Sequence, residues 1–203
     1  MAVHLVLVQA VGVRIPAPQL ILIQNNIMNN KLKIFSGRSN PALAKKISKS
    51  LGCELGEISI STFSDGELWI KFEENIRGTD VFLIQSTNGP SENILELALM
   101  VDAAVRASAD RVTVVIPYFG YGRQDRKDQP RVPISSRVMI DIFTAMGADR
   151  IITMDLHSTQ IQGLLKSRLI IYTAEWCYWM QLRMKGWIRT IPLCWHQILD
   201  QQK

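Results

Sequence analysis

The sequence has 203 residues, of which 47% are hydrophobic and 20% charged, and its formal net charge is +5. A chain of this length and composition can bury a hydrophobic core within one large domain. Basic and acidic residues alternate over most of the sequence, so the charge pattern favours a solvated surface and not a nucleic-acid-binding one. The three cysteines, Cys53, Cys177 and Cys194, follow neither a disulfide framework nor metal-ligand spacing. This usage is typical of the reducing cytoplasm.

The first 30 residues are apolar but fit neither a membrane span nor a secretory signal. His4, Gln9, Arg14 and two prolines interrupt the apolar run, and the charged start of a signal peptide is missing. Met28 stands shortly before the first predicted strand. Either translation starts at Met28, or residues 1–30 form a genuine but poorly ordered extension. Neither alternative predicts association with a membrane.

The predicted elements begin with a strand, a turn and a helix. The apolar strand is Lys33–Phe35. Asn40 then provides an N-cap and Pro41 a first-turn proline for a helix that runs to Leu51, where Gly52 ends it. The pattern indicates a β-turn-α unit.

A hairpin and a central strand follow. Ile58–Thr62 and Leu68–Phe72 alternate apolar and polar residues on either side of the turn Ser64-Asp65-Gly66, which predicts a β-hairpin. Val81–Ile84 is fully apolar, as is typical of a strand buried on both faces.

Helices and strands alternate over the next 70 or so residues. Ser91 is predicted to cap a long helix that runs to Ala107, with its apolar side chains on one face. A strand, a polar glycine-bearing loop, a helix and a strand follow: Val112–Ile116, Pro117–Pro133, Ser135–Met146 and Ile151–Met154. This alternation predicts an α/β fold with a mostly parallel sheet covered on both faces, and functional loops at the carboxyl ends of its strands.

Three polar segments follow strands, and we expect them to converge. They are Phe63–Glu67, Tyr121–Asp128 and Met154–His157. Each also has a purely structural interpretation. The first is a turn, the second is a solvated loop, and in the third His157 is structural while Asp155 caps a helix that begins near Ser158.

Taken together, the three segments suit a phosphate-rich ligand. Arginine and lysine side chains in a glycine-bearing loop can approach a polyphosphate closely and form bidentate contacts. The basic residues of this loop are Arg123, Arg126, Lys127 and Arg131. Mg²⁺ prefers oxygen ligands and keeps several waters, so Asp155 is the easier direct ligand and His157 acts on the phosphate or through water.

Several ordered motifs resemble the N-terminal half of ribose-phosphate pyrophosphokinase. They are KLKIFSG, FSDGE, ENIRG (Glu74–Gly78), VIPYFGYGRQDRKD, R-x-P-I-S (Arg131–Ser135) and GADRIITMDLHSTQIQG. The similarity is continuous from about Lys31 to Leu165. It implies an α/β, parallel-sheet, phosphoribosyltransferase-like domain over residues 31–165, with the second domain of the family missing.

The resemblance also implies an activity and a set of site residues. The activity is transfer of the β,γ-diphosphoryl group of Mg-ATP to the 1-hydroxyl of ribose 5-phosphate, which gives phosphoribosyl pyrophosphate and AMP for nucleotide biosynthesis. The resemblance implies a cytoplasmic homo-oligomer in which dimers assemble into hexamers. In that assembly, the adenine of an ATP held mainly by a neighbouring subunit would be contacted by four residues of the hairpin turn, which are Phe63, Asp65, Gly66 and Glu67. The implied ATP-binding residues are Phe63, Asp65, Gly66, Glu67, Arg123, Gln124 and Asp128, and the implied metal residues are His157 and Asp155.

Residues 166–203 depart from the family pattern. They contain Trp176, Trp179, Trp187 and Trp195 but lack the family's P-D-x-G segment, basic catalytic loop and D-D-x-x-x-T-G-G-T loop. Regrouping the codons of Glu175–Gln181 one base earlier gives V-L-L-D-A, and the same shift elsewhere in this segment permits the missing L-Y and P-D-x-G. We therefore expect a frameshift at about codon 166 and an aberrant tail whose exposed apolar residues lower solubility.

Three functions remain open. In the first, the chain is an inactive part of the diphosphokinase, because no catalytic set is complete and half of the electrostatic clamp is missing. In the second, it is a non-catalytic subunit that joins an intact relative and lends Asp65 and Glu67 to a neighbour's nucleotide site. A phosphoribosyltransferase is disfavoured, because the acidic phosphoribosyl loop is missing too.

Overall fold

The computed structural model describes residues 32–157 and the backbone of residues 168–172. The strands are β1 (Leu32–Ser36), β2 (Ile58–Thr62), β3 (Leu68–Phe72), β4 (Asp80–Ile84), β5 (Arg111–Ile116), β6 (Arg150–Met154) and β7 (Arg168–Tyr172), and the helices are α1 (Pro41–Leu51), α2 (Glu92–Arg106) and α3 (Ser135–Ala145). Five strands form a parallel sheet in the order β1-β4-β5-β6-β7, and β2 and β3 form a separate antiparallel hairpin. The predicted parallel α/β fold is confirmed.

Helix α1 begins and ends at the predicted caps. The side-chain oxygen of Asn40 accepts a hydrogen bond from the N–H of Leu43 at 3.1 Å, and Pro41 is the first helical residue. Gly52 has φ 72°, and its N–H donates to the carbonyl of Lys49. This left-handed conformation costs glycine little because glycine has no Cβ.

The β2–β3 hairpin lies on the main core through its apolar face. Ile60 pairs with Ile70 across the ladder. Both residues, with Ile58 and Phe72, pack against the cluster of buried hydrophobic side chains that forms the core, and β3 contacts α2. The predicted hairpin is confirmed with the predicted bounds.

Helices cover the sheet on two faces. Phe35 of β1 belongs to the large core that α2 and α3 share with the sheet. The buried residues Leu32 and Ile34 alternate with Phe35 and lie outside that core. Since side chains alternate across a strand and α1 packs against β1, α1 lies on the opposite face of the sheet.

Ser91 stands at the N-cap position of α2, as predicted, but its side chain does not cap the helix. Ser91 already has helical backbone angles, φ −61° and ψ −17°, and its side chain makes no capping hydrogen bond. Its hydroxyl lies 3.3 Å from the hydroxyl of Tyr121 instead. The first N–H groups of the helix are satisfied by backbone carbonyls, because Asn93 donates to Pro90 and Ile94 donates to Ser91.

Strand β7 was not predicted from the sequence. It pairs in parallel with β6, with Ile170 opposite Ile152, and its residues R-L-I-I-Y favour an extended backbone. It falls within the segment 166–203, for which an aberrant tail is expected, so the division of the chain at residue 166 remains a prediction. The predicted extension 1–30, the helix near Ser158 and the rest of the tail lie outside the described residues. Within the described part, no helix is long and apolar enough to cross a bilayer.

Candidate functional site

A polar cavity of about 540 Å³ opens at the carboxyl ends of β5 and β6. These two strands are neighbours in the sheet, with Ile116 opposite Thr153, so the loops that follow them meet at one edge. The cavity is lined by Arg123, Gln124, Asp125, Arg126, Asp128, Gln129, Val132, Pro133 and His157. The sheet therefore brings together four of the predicted site residues, which are Arg123, Gln124, Asp128 and His157.

The start of the β5 loop is held against the loop that follows β4. The N–H of Gly120 donates to the hydroxyl of Thr87 at 2.8 Å. A Cβ atom at position 120 would lie 2.1 Å from the carbonyl oxygen of Thr87, a distance that no side chain can accept. Glycine is required at this position because two backbone segments are in contact there.

Gln124 closes the same loop onto the start of α3. Its backbone carbonyl accepts hydrogen bonds from the N–H of Ser136 at 3.1 Å and from the Ser136 hydroxyl at 3.0 Å. Its side-chain oxygen accepts a hydrogen bond from the hydroxyl of Ser135. Gln124 therefore has a structural role beside the predicted nucleotide-binding one, and it fixes both ends of the basic segment.

Three residues of these loops have left-handed backbone angles that are rare outside glycine. Tyr121 has φ 62°, Arg131 has φ 66° and Asp155 has φ 46°. Such a conformation costs about 1–2 kcal/mol per residue, and residues that adopt it cluster at active sites and ligand-binding segments. All three residues follow β5 or β6, the two strands that end at the cavity.

The charged groups of the cavity suit an anionic ligand with a bound cation. The side chains of Arg123 and Arg126 are exposed, as are those of Asp128 and His157, so an incoming phosphate can reach the guanidinium groups without displacing buried neighbours. Within the described residues, no group of three or more histidine, cysteine or acidic side chains could hold a metal on its own. The predicted metal residues His157 and Asp155 provide at most part of a coordination shell.

The hairpin residues do not line this cavity. Phe63, Asp65, Gly66 and Glu67 lie at the exposed turn of the hairpin, and the side chain of Phe63 is 53% exposed. The expected convergence of all three polar segments is therefore wrong within this chain. The physical reason is that the hairpin lies beside the loop after β1, where Arg38 donates to Thr62, whereas the cavity lies at the ends of β5 and β6.

The hairpin turn is nevertheless well defined. The N–H of Phe63 donates to the carbonyl of Glu67 at 2.8 Å, and the N–H of Gly66 donates to the carbonyl of Phe63 at 3.0 Å. One carboxylate oxygen of Asp65 accepts a hydrogen bond from the N–H of Glu67 at 3.1 Å. Asp65 can therefore be a structural residue of the turn and a nucleotide-binding residue at the same time, because its second carboxylate oxygen is available to a ligand.

Four cavity residues were not predicted as ligand-binding residues. They are Asp125, Gln129, Val132 and Pro133. Arg126, which also lines the cavity, is one of the basic residues that the sequence pattern suggested for a polyphosphate. The signal that could have identified the other four is their membership of the same loop, which the hydrogen bonds between Gln124 and Ser136 close.

An exposed pair of arginines and a histidine at the carboxyl edge of a parallel sheet are chemically suited to phosphate in an α/β domain. Residues 32–147 match the family model described as the N-terminal domain of ribose phosphate pyrophosphokinase. The chain therefore belongs to the ribose-phosphate pyrophosphokinase family, a family of enzymes, and the resemblance of its motifs is confirmed.

Individual relatives agree with this assignment. The chain is 55% identical over 136 residues to the ribose-phosphate pyrophosphokinase of Chlorobaculum tepidum, which covers 67% of this chain and 42% of the relative. It is 55% identical over 134 residues to that of Porphyromonas gingivalis, covering 66% and 43%. The crystal structure of phosphoribosylpyrophosphate synthetase from Mycobacterium smegmatis superimposes with a TM-score of 0.70 at 35% identity, covering 77% of this chain and 51% of that one. The chain thus spans about two fifths of the length of the curated relatives.

The backbone of Asp155 generates a prediction about stability. Asparagine tolerates left-handed angles better than alanine does, so Asp155→Ala is expected to be less stable than Asp155→Asn by about 1 kcal/mol. Urea unfolding followed by circular dichroism measures the difference. Equal midpoints and slopes for the two variants would show that the left-handed angle at residue 155 carries no energetic cost.

Proposed function

We propose that this domain binds the nucleotide of a ribose-phosphate diphosphokinase reaction, in which the β,γ-diphosphoryl group of ATP passes to ribose 5-phosphate. The observation that carries the proposal is the cavity in which Arg123, Arg126 and His157 meet at the carboxyl edge of the sheet. Family membership supports it. Phosphoryl transfer depends chiefly on positioning and charge stabilisation, so an exposed guanidinium pair in a glycine-bearing loop is suitable chemistry.

The proposed roles rest on the resemblance of the motifs to the family and on the lining of the cavity, which includes Arg123, Gln124, Asp128 and His157. Arg123 binds the phosphates, and Asp128 with Gln124 contacts the rest of the nucleotide. A magnesium ion that arrives with ATP would be held by Asp155 and, directly or through water, by His157, and it would neutralise phosphate charge. The fit is partial, because the described residues offer no complete set of protein ligands. Phosphate oxygens and water would complete the shell.

We propose that the chain alone binds nucleotide without turnover. The described cavity holds positively charged and polar groups but no complete catalytic set, and the chain covers about 42% of its curated relative. The remaining electrostatic stabilisation of the transition state would then have to come from elsewhere. The proposed setting is the cytoplasm, with ATP and ribose 5-phosphate as substrates of the complete enzyme.

Substitution of Arg123 tests nucleotide binding. Arg123→Ala is expected to weaken binding of Mg-ATP about tenfold or more, because a charge-assisted contact to phosphate contributes about 1.5–3 kcal/mol. Arg106→Ala is the matched control, since Arg106 is an exposed arginine on α2 that pairs with Asp102 at 2.6 Å and lies away from the cavity. Isothermal titration calorimetry measures both. The same loss of affinity in both variants would point to unspecific charge attraction and reject the proposed site.

A second candidate function is that of a subunit that completes a neighbour's site in a homo-oligomer. The observation that favours it is the hairpin turn, where Phe63, Asp65 and Glu67 are exposed and lie outside the chain's own cavity. In such an assembly the turn would contact the adenine of an ATP bound mainly by the neighbouring subunit. Dimers assembled into hexamers are the proposed form.

Mixing with an intact relative tests the subunit function. The chain is expected to co-purify with the relative and to change the relative's rate of phosphoribosyl pyrophosphate formation. A chain carrying Asp65→Ala and Glu67→Ala should also co-purify, but it should not produce the same change in that rate. Glu54→Ala is the control, because Glu54 is an exposed acidic residue outside the hairpin. If the chain does not associate with the relative, the subunit function is wrong.

We propose that residues from about 166 onward are read in a shifted frame. The support is the clustering of tryptophan after that point and the recovery of family segments when the codons of Glu175–Gln181 are regrouped. The expected result of independently sequencing the coding DNA from codon 155 to codon 203 is one additional base near codon 166. If the DNA confirms the sequence as given, a reading error is rejected, and the gene encodes the tail as written.

A further inference from the structure

A buried carboxylate joins two loops of the sheet to α2. Glu96 of α2 has no exposed surface. Its oxygens accept hydrogen bonds from the backbone N–H of Arg38 at 2.7 Å, from Nε of Arg38 at 2.6 Å and from the side-chain amide of Gln85 at 2.9 Å. The oxygen of the Gln85 amide accepts in turn from the N–H of Ser39 at 3.0 Å. The loop after β1 is therefore fixed to the loop after β4.

Arg38 uses the remaining nitrogens of its guanidinium group on two other elements. Nη2 donates to the carboxylate of Glu92 at 2.9 Å, and Nη1 donates to the hydroxyl of Thr62 at 3.3 Å. The hydrogen bond to Glu96 is the main reason that the pKa of Arg38 lies above its usual value, although burial opposes this increase. One side chain thus connects β1, α2 and the end of β2.

Thr62 is the residue at which the hairpin leaves the core. The side chains of Ile58 and Ile60 pack partly buried against the core, but Thr62 and the five residues that follow it are exposed. The hydrogen bonds Phe63 N–H to Glu67, Gly66 N–H to Phe63 and Glu67 N–H to Asp65 all stay within the turn. Among the described residues, the hydrogen bond from Arg38 to Thr62 is therefore the polar contact nearest to the turn that joins the hairpin to the parallel sheet.

We propose that Arg38 is a positioning residue that holds the turn of the β2–β3 hairpin at a fixed angle to the parallel sheet. Its consequence for nucleotide binding rests on the proposed function, in which Phe63, Asp65 and Glu67 contact a nucleotide. The buried Glu96 orients the guanidinium group, Glu92 fixes its outer edge, and the third nitrogen reaches Thr62. An arginine is suited to this task because its planar fork presents donors in several fixed directions, whereas a lysine offers one nitrogen.

Substitutions of Thr62 test the proposal without disturbing the buried carboxylate. Thr62→Val removes the acceptor for Arg38 and keeps the shape of the side chain. Thr62→Ser keeps the hydroxyl, and Ser61→Ala removes a hydroxyl from the neighbouring exposed residue of the same strand. Hydrogen exchange of the full chain without nucleotide, followed by mass spectrometry, compares a peptide over residues 58–72 with one over Arg111–Ile116.

The expected result is confined to the hairpin. Thr62→Val should accelerate exchange of the turn amides about threefold to tenfold, as the loss of one net hydrogen bond implies, while Thr62→Ser and Ser61→Ala match the original chain. Exchange over Arg111–Ile116 should not change in any variant. The proposal is overturned if Thr62→Val behaves like Ser61→Ala, or if it accelerates both peptides equally, because the effect is then global.

A second measurement separates this inference from the proposed function. The Thr62→Val chain is mixed with an intact relative, and the rate of phosphoribosyl pyrophosphate formation is compared with that of a mixture containing the Thr62→Ser chain. Faster hairpin exchange together with a changed rate supports both the positioning role and the function of the turn. Faster exchange with an unchanged rate supports the positioning role alone and rejects nucleotide contact by the turn.

Discussion

The buried carboxylate of Glu96 is the interaction on which the carboxyl edge of the sheet depends. An ionised group without solvent costs several kcal/mol unless donors surround it, and here two N–H groups of Arg38 and the amide of Gln85 do so. These donors belong to loops after two neighbouring strands. Gly37 lies between them, where a Cβ atom would come within 2.8 Å of Glu96 and 2.3 Å of Gln85. One buried charge therefore determines the paths of three chain segments.

The other half of the same edge is organised by backbone contacts and carries the cavity. The loop after β5 is held at one end by Gly120 against Thr87 and at the other by Gln124 against Ser136. Between and beside these fixed points, Tyr121, Arg131 and Asp155 keep left-handed angles. Unfavourable backbone angles persist only where the surrounding structure determines them, so the rigid sheet is what allows the loops to present their charged groups in a defined arrangement.

Sequence patterns predicted the regular elements well because their signals are local. The caps Asn40 and Gly52 bounded α1, and alternation of apolar residues gave both strands of the hairpin. The patterns failed where the determining contact is distant in sequence or depends on geometry. Ser91 bonds with Tyr121 instead of capping α2, and the contact of Arg38 with Glu96 spans 58 positions. Motifs identified the family, but only the structure showed that the hairpin turn does not line the cavity.

The turn of the β2–β3 hairpin has a thermodynamic consequence for any surface that covers it. Binding usually costs about 0.5–1.5 kcal/mol for each side chain or loop element that must be ordered. In this turn the backbone bonds of Phe63 and Gly66 and the carboxylate of Asp65 already fix the chain. A partner that buries the exposed ring of Phe63 would therefore retain most of the hydrophobic gain as affinity. The conformational entropy of the turn is already lost when the domain folds, so binding does not have to order it again.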